Sequence, residues 1–280
     1  MKIGCNTVSF RTKDLEFVLE KIASAGYEYV EVEANLKWCP HADPWKDDPI
    51  KFKEKVKSFG FKEVSAIGSH RELITSDESA EDIKRSIKWA READISVVLT
   101  GEGRMPANMS TEAALRILKD KLKDILEVAE TNEVYLAMED HGSISLGSLD
   151  GLPKIISLVD SKWLGVNFDT ANIHRGDYVG TSRGNYEWKL EGSKLSFSEV
   201  ELLKKVADKV RHVHFKDVIG RDAVTLGTGE IDLVGCLKIF KESGYDGVLS
   251  YETEGMQNTQ ESIEMITKSR QFLIDNLKNI

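Results

Sequence analysis

Cysteine is scarce in this chain. Only Cys5, Cys39 and Cys236 occur in 280 residues; they are odd in number, far apart and without a CxxC spacing. That excludes a disulfide framework and fits a reducing cytoplasm. Long apolar runs are missing too. No stretch of about eighteen uncharged apolar residues exists, so no membrane span is expected. The start, Met1-Lys-Ile-Gly-Cys5, lacks the apolar region of a secretory signal. Excess basic charge is lacking: 38 Lys and Arg stand against 47 Asp and Glu, a formal net charge of -9, which argues against nucleic acid as the main partner. Glycine-rich phosphate loops are absent as well. Leu226-Gly-Thr-Gly-Glu-Ile231 has no third glycine and no lysine, so it is neither a dinucleotide fingerprint nor a P-loop. It reads as a tight turn into a helix capped by Asp232. No low-complexity tract or linker divides the sequence, and residues 1–280 are expected to form a single domain.

What is present is a core-forming hydrophobic content of 41% and an alternation of two patterns. Eight short runs, nearly continuous in hydrophobicity, read as strands buried on both faces. They are Ile3–Asn6, Tyr29–Glu33, Val64–Ile67, Ser96–Thr100, Val134–Met138, Leu164–Phe168, Arg211–Phe215 and Val248–Tyr251. Helical periodicity lies between them. Asp14 can cap a helix through Ala25, and further helices are predicted over Ser79–Ala93, Thr111–Glu130, Ser198–Asp208, Asp232–Ser243 and Thr259–Leu277. Gly26 and Gly244 stand where left-handed helix ends are wanted. Eight βα units of about 35 residues each give the size of a (β/α)8 barrel. The competing doubly wound sheet usually has fewer strands and a glycine-rich first turn, which Asn6-Thr-Val-Ser-Phe10 is not.

In such a barrel the functional groups sit at the C-terminal ends of strands. Those ends carry Glu139, Asp169, His214 and Glu252 on four consecutive strands. Three carboxylates and one imidazole suit a fairly hard divalent cation, Mn²⁺ first, with Mg²⁺, Co²⁺ or Zn²⁺ as alternatives. Open positions would remain for a chelating substrate. Any one of these carboxylates alone could instead be an ion-pair partner at the rim.

Four stretches carry a resemblance over nearly the whole chain: Leu136-Ala-Met-Glu-Asp-His-Gly142, Val166-Asn-Phe-Asp-Thr-Ala-Asn172, His212-Val-His-Phe-Lys-Asp217 and Gly244-Tyr-Asp-Gly-Val-Leu-Ser-Tyr-Glu252. Jointly the chain resembles the xylose-isomerase-like barrel superfamily of sugar isomerases and epimerases. The resemblance implies that Glu139, Asp169, His214 and Glu252 bind one metal, and that Glu139 and Glu252 flank the substrate and move protons. The superfamily also holds inosose and dehydroshikimate dehydratases and C-glycoside deglycosidases, so membership does not fix the reaction. Ketose 3-epimerases have His where this chain has Asn172, with His174 two residues on, and Arg where it has Gly220, followed by Arg221. Both departures fall on positions that hold the substrate.

Other residues carry two readings each. His212 shares a strand face with His214, as a substrate donor or an interior hydrogen-bonded group. Lys216 continues that face, holding a substrate oxygen or pairing with a carboxylate. His141 reads as an acid/base group or as a residue that orients Glu139. His70 and Arg104 end strands three and four, within reach of a substrate. Trp38 and Trp45 either stack on a sugar ring or pack their loop, and His41 reads as a surface residue. The segment Ile173–Phe197, with Arg175, Asp177, Tyr178, Arg183, Tyr186 and Trp188, is long for a βα loop. It reads as a lid or as a subunit contact; a homo-oligomer or a small partner subunit is the expected assembly.

The expected reaction is isomerisation or epimerisation of a sugar or keto-sugar, by proton abstraction next to a carbonyl through a metal-stabilised enediolate. Elimination by a dehydratase or C-glycoside deglycosidase is the alternative. An AP endonuclease ranks below both, because that family packs three metals with extra His ligands that strand four here does not supply.

Overall fold

A computed structural model describes residues 1–174, 195–220, 222–253 and 257–280 of the chain. The expected lid, apart from its two ends, and Arg221 lie outside the described residues. Eight parallel strands form the sheet: β1 (Lys2–Asn6), β2 (Tyr29–Asn35), β3 (Glu63–Gly68), β4 (Val97–Thr100), β5 (Tyr135–Glu139), β6 (Leu164–Asp169), β7 (Val210–Phe215) and β8 (Val248–Tyr251). Each pairs with the next in sequence, and β8 pairs with β1, so the sheet closes on itself as a (β/α)8 barrel. Every expected strand is present, with ends shifted by a residue or two.

Six of the helices combine an amphipathic stripe with a start capped by a side chain. α1 (Leu15–Ser24) begins where the Asp14 carboxylate accepts the Phe17 N–H at 2.9 Å. α2 (Pro49–Ser58) is a helix that the sequence pattern does not predict. It buries only Phe52 and Val56, too sparse a stripe to read as periodic, but Asp48 caps it and Pro49 opens it. α3 (Ser79–Glu92) and α4 (Thr111–Asn132) follow the predicted pattern. α5 (Gly151–Ile156) and α6 (Thr170–His174) are short. α7 (Glu199–Val206) and α9 (Thr259–Asn279) open on capping boxes, and α8 (Leu233–Glu242) on Asp232, as the sequence indicates. Gly26 and Gly244 take the left-handed conformation, with φ of 86° and 75°. No helix among the described residues is long and apolar enough to cross a membrane. All three cysteines are buried.

The main apolar core lies between the strands and the helices. A second, small cluster of Ala66, Val97, Leu99 and Ala137 fills one side of the barrel interior. The rest of the interior is polar, because alternate residues of β1, β2, β6 and β7 are Asn6, Glu31, Glu33, Asn167, Asp169, His212 and His214, all buried. A register shift between Val166 and Asn167 brings Asn167 opposite His212 and Asp169 opposite His214; a second, between Val30 and Glu31, lies in the pairing of β2 with β3.

Beyond β7 the chain turns through a small antiparallel ribbon, Asp217–Ile219 with Asp222–Val224. Asp217 organises this ribbon and the turn into α8. Its carboxylate accepts the N–H groups of Val218, Gly227, Gly229 and Ile231 at 3.0, 2.9, 2.8 and 3.3 Å. Gly229 is required there, since a Cβ would fall 2.1 Å from the carboxylate. Asp217→Ala leaves up to four main-chain donors without this acceptor, and we expect a loss of about 2–4 kcal/mol in urea unfolding. Asp217→Asn, which retains one acceptor oxygen, should lose less.

Candidate metal and active site

The strand ends bring three carboxylates around one imidazole nitrogen. Nδ1 of His214 lies 3.0 Å from Glu252 Oε2, 3.6 Å from Asp169 Oδ2 and 3.6 Å from Glu139 Oε2. Ligand-type atoms of Glu139, Asp169 and His214 all lie within 4.8 Å of one another. On the far side of the ring, Nε2 of His214 meets Glu31 Oε1 at 2.8 Å, and the other oxygen of Glu31 meets His212 Nε2 at 2.8 Å. Burial disfavours charge on His214, but Glu252, Glu31 and Glu139 outweigh it and raise its pKa well above the usual value.

Asp169 divides its oxygens. Oδ1 accepts the N–H groups of Ala171 and Asn172 at 2.8 and 3.0 Å, capping α6, while Oδ2 faces His214 and Lys216. The Lys216 ammonium, fully buried, lies 2.7 Å from Asp169 Oδ2 and 2.6 Å from Glu252 Oε1. Of its two sequence readings, the ion pair is the one this geometry contains. Burial acts against ionised Asp169, yet Lys216 and His214 together outweigh it and keep the carboxyl below its ordinary range. Asp140, next along from Glu139, accepts the Asp169 N–H at 2.8 Å; burial and the Asp169 charge push its pKa far up.

Glu139 is held from several sides. Oε2 meets His70 Nε2 at 2.7 Å and accepts from Asn167 Nδ2 at 3.2 Å. Oε1 accepts from Asn172 Nδ2 at 3.0 Å and lies 3.7 Å from His141 Nδ1. Burial opposes its charge, but His214, His70 and His141 outweigh that and hold the carboxyl well below its usual range. The turn that presents His141 is fixed by buried Glu102, which accepts the N–H groups of Ile144 and Ser145 at 2.7 and 3.1 Å.

A cavity of about 400 Å³ opens onto this centre, lined at its base by Glu33, His70, Glu139, His141, His214 and Glu252. Of the sequence-predicted residues, Asn172, His212 and Lys216 are outside this lining; Asn172 grips Glu139 and Lys216 grips Glu252 in it, while His212 holds Glu31, which backs His214. Arg104 is exposed, with its main-chain N–H on Glu72. Trp45 is 42% exposed, outside the lining, with the Arg71 guanidinium over its ring; Trp38 is the tryptophan that lines the cavity. His41 is not a surface residue but buried, its Nε2 2.9 Å from the Lys13 carbonyl, because the short strand Cys39–Pro40 folds it inward. His174 faces Glu199 at 3.3 Å rather than the cavity. Asn6, Glu31, Glu33 and Asn167 are site residues that the sequence pattern does not single out. Asn6 donates to Glu31, Glu33 and Glu252 at 2.8, 3.2 and 3.0 Å. The signal that could have found them is the Glu31-Val-Glu33 alternation of β2, two acids in an otherwise apolar run.

The donor chemistry fits a divalent cation. Glu31, Glu139, Asp169 and Glu252 bring four buried carboxylates against one lysine and a few imidazoles, and buried charges of one sign require a partner or a metal. The chain belongs to the xylose isomerase-like TIM barrel family, whose model matches residues 19–273. An uncharacterized protein of Methanocaldococcus jannaschii is 25% identical over 95% of this chain and 88% of its own length. Inosose dehydratase of Clostridium botulinum is 23% identical, over 58% of this chain and 54% of its own length. Among solved structures, a D-tagatose 3-epimerase-like protein superposes with a TM-score of 0.74 at 22% identity, covering 99% of this chain and 97% of that one. The IOLI protein with a bound zinc atom gives 0.75 at 18% identity, covering 100% and 99%.

Glu102 supplies a pH test of the turn. Burial pushes its carboxyl up to about 7 from 4.5. Its folded form therefore binds the proton more tightly than its unfolded form. The stability it contributes is complete below pH 4.5 and is lost as pH rises through about 7, by at most about 3 kcal/mol. The stability advantage of wild type over Glu102→Gln in urea unfolding should accordingly shrink from pH 5 to pH 8.

Proposed function

We propose that this chain is a divalent-metal-dependent isomerase or epimerase of a hydroxy-ketone: a sugar, sugar acid or keto-glycoside. The observation that carries this reading is the approach of Glu139 and Glu252, from β5 and from the end of β8, to one nitrogen of His214 at the base of the cavity. Glu139, Asp169, His214 and Glu252 would hold the cation, and their three carboxylates favour Mn²⁺. The cation would offset the negative charge that builds on a carbonyl oxygen when the neighbouring C–H bond breaks.

The protein's own groups handle the proton. Glu139, kept ionised by its imidazole neighbours, is ready to accept one. His70, on Glu139 and 21% exposed, gives that proton a path toward the cavity mouth. Glu252, fixed by Asn6 and Lys216, returns a proton from the other side. Return to the opposite face of the same carbon is epimerisation; return to the adjacent carbon is isomerisation.

Elimination is the second reading. The specific support for it is the pair of imidazoles, His70 and His141, with ring centroids 5.2 Å apart beside Glu139. A departing oxygen needs an acid, and His141 is placed to be one.

The test is a panel of ketoses, keto-acids and 3-keto-glycosides with Mn²⁺, followed by NMR in D2O. Deuterium should enter one substrate carbon without an unsaturated product. Glu139→Gln and Glu252→Gln should each lower kcat by about 10²–10⁴-fold. His141→Ala should keep substantial exchange of the proton; exchange that stops, or an unsaturated product that wild type forms and the variant no longer does, would move the assignment to a lyase.

A further inference from the structure

Glu33 is a buried acid with one oxygen left over. It stands on β2 two residues past Glu31, on the same inward face, and is 3% exposed. Oε1 accepts the Asn6 amide at 3.2 Å. Oε2 has no hydrogen-bond partner among the described residues. The main chain around it is pinned: the Glu33 N–H donates to Thr7 Oγ1 at 3.1 Å, and the Glu33 carbonyl accepts the Ala42 N–H at 3.0 Å. On β3, Gly68 lies opposite Glu33, and a Cβ there would fall 2.4 Å from Oε1 and 2.6 Å from Oε2. The neighbouring strand thus gives up a side chain to make room for this carboxyl. A buried polar group without a full set of partners is costly, and an apolar side chain in its place would avoid that cost.

The remaining oxygen has an outlet. Glu33 lines the cavity, beside Asn35, Trp38, Ser76 and Ser79. The Asn6 nitrogen that holds it also lies 3.0 Å from Glu252 Oε2, so Glu33 stands one side chain away from the reacting end of the site.

The geometry points to Glu33 as a specificity-determining residue: Oε2 takes a substrate hydroxyl beyond the carbonyl and the carbon that loses its proton, and so selects a neutral, polyhydroxylated sugar or glycoside over a sugar acid. A hydroxyl both donates and accepts, and it pairs with a carboxyl in either protonation state. A substrate carboxylate only accepts, and it would meet Glu72, Glu78 and Asp82 on the cavity wall as well as Glu33. The Arg71 guanidinium, which could offset them, is engaged by Asp82 at 3.2 Å and by the His70 carbonyl at 2.8 Å. The inference rests on the proposed function for the reaction that Glu33 discriminates.

The experiment is deuterium exchange with Mn²⁺ on the neutral ketose or 3-keto-glycoside that the panel shows to react, on its monodeoxy analogues and on its uronic acid. In wild type, one deoxy analogue should fall behind the parent by about 10–100-fold in kcat/KM, and the uronic acid should also be poorer than the parent. In Glu33→Leu the parent should lose a similar factor, mostly in KM, and the gap to that analogue should close. Gly68→Ala, which displaces the carboxyl without removing it, should do the same and carries the test if leucine is not accommodated. Urea unfolding should find Glu33→Leu no less stable than wild type, whereas a purely structural residue would lose stability. A gap that persists in both variants, or a parent kcat/KM unchanged in them, would overturn the role of Glu33 and leave the proposed function standing. Loss of bound metal from Glu33→Leu in elemental analysis would overturn it too, making Glu33 a ligand. A uronic acid that exchanges as fast as the parent would overturn the selection of a neutral substrate. If nothing on the panel exchanges, the proposed function falls, and calorimetry with sorbitol and mannitol decides for Glu33. Binding to wild type that Glu33→Leu loses would support its role as the hydroxyl reader; equal binding, or none, would overturn it.

Discussion

The imidazole of His214 is gripped from behind by Glu31, and the arrangement of the site depends on that grip. With Nε2 committed to the Glu31 carboxylate at 2.8 Å, the ring can present only Nδ1 to the cavity side. Glu31 cannot swing away, because His212 and Asn6 hold it too. Asn6 then reaches on to Glu33 and Glu252. Strands β1, β2, β7 and the end of β8 are thereby tied together by side chains as well as by their ladder. A barrel interior that would ordinarily be packed with branched apolar residues is here a hydrogen-bonded polar layer supporting the rim.

Such a layer is costly. Buried carboxylates lose hydration, and mutual attraction repays this only where partners are well placed. The chain uses several means at once. Lys216 lies between Asp169 and Glu252, imidazoles surround Glu139, and Asp140 and Glu33 are pushed toward their neutral forms, Glu33 to about 7. A divalent cation would meet the same electrostatic need that Lys216 and a protonated His214 meet in its absence, so binding a cation is coupled to a rearrangement of charge.

The barrel is legible in the sequence because strands buried on both faces leave nearly unbroken apolar runs, and eight of them stand out. The rim residues Glu139, Asp169, His214 and Glu252 are legible because a polar residue ending such a run is conspicuous. Glu31 and Glu33 are harder to see. Their charges sit inside a strand whose neighbours are apolar, and only the closed barrel shows that both face inward to His214 and Asn6. Helix α2 is hidden by its sparse apolar stripe, and the burial of His41 by a turn that local composition does not announce. Trp38 and Trp45 lie in one loop with similar surroundings in sequence; which of them reaches the cavity is decided by how that loop folds back.

The glycines near the rim couple distant positions into single loci. A side chain at Gly68 would collide with Glu33, at Gly101 with His141, and at Gly142 with Glu102. Each glycine is the negative image of a functional or supporting group on another strand. A chain of this architecture can hold a large residue at one member of such a pair or at the other, but not at both. Exchanging them together would move the group to a neighbouring strand end while keeping the cavity's volume. Divergence of chemistry on this scaffold can therefore proceed by paired replacements, each neutral to packing, rather than by remodelling of loops.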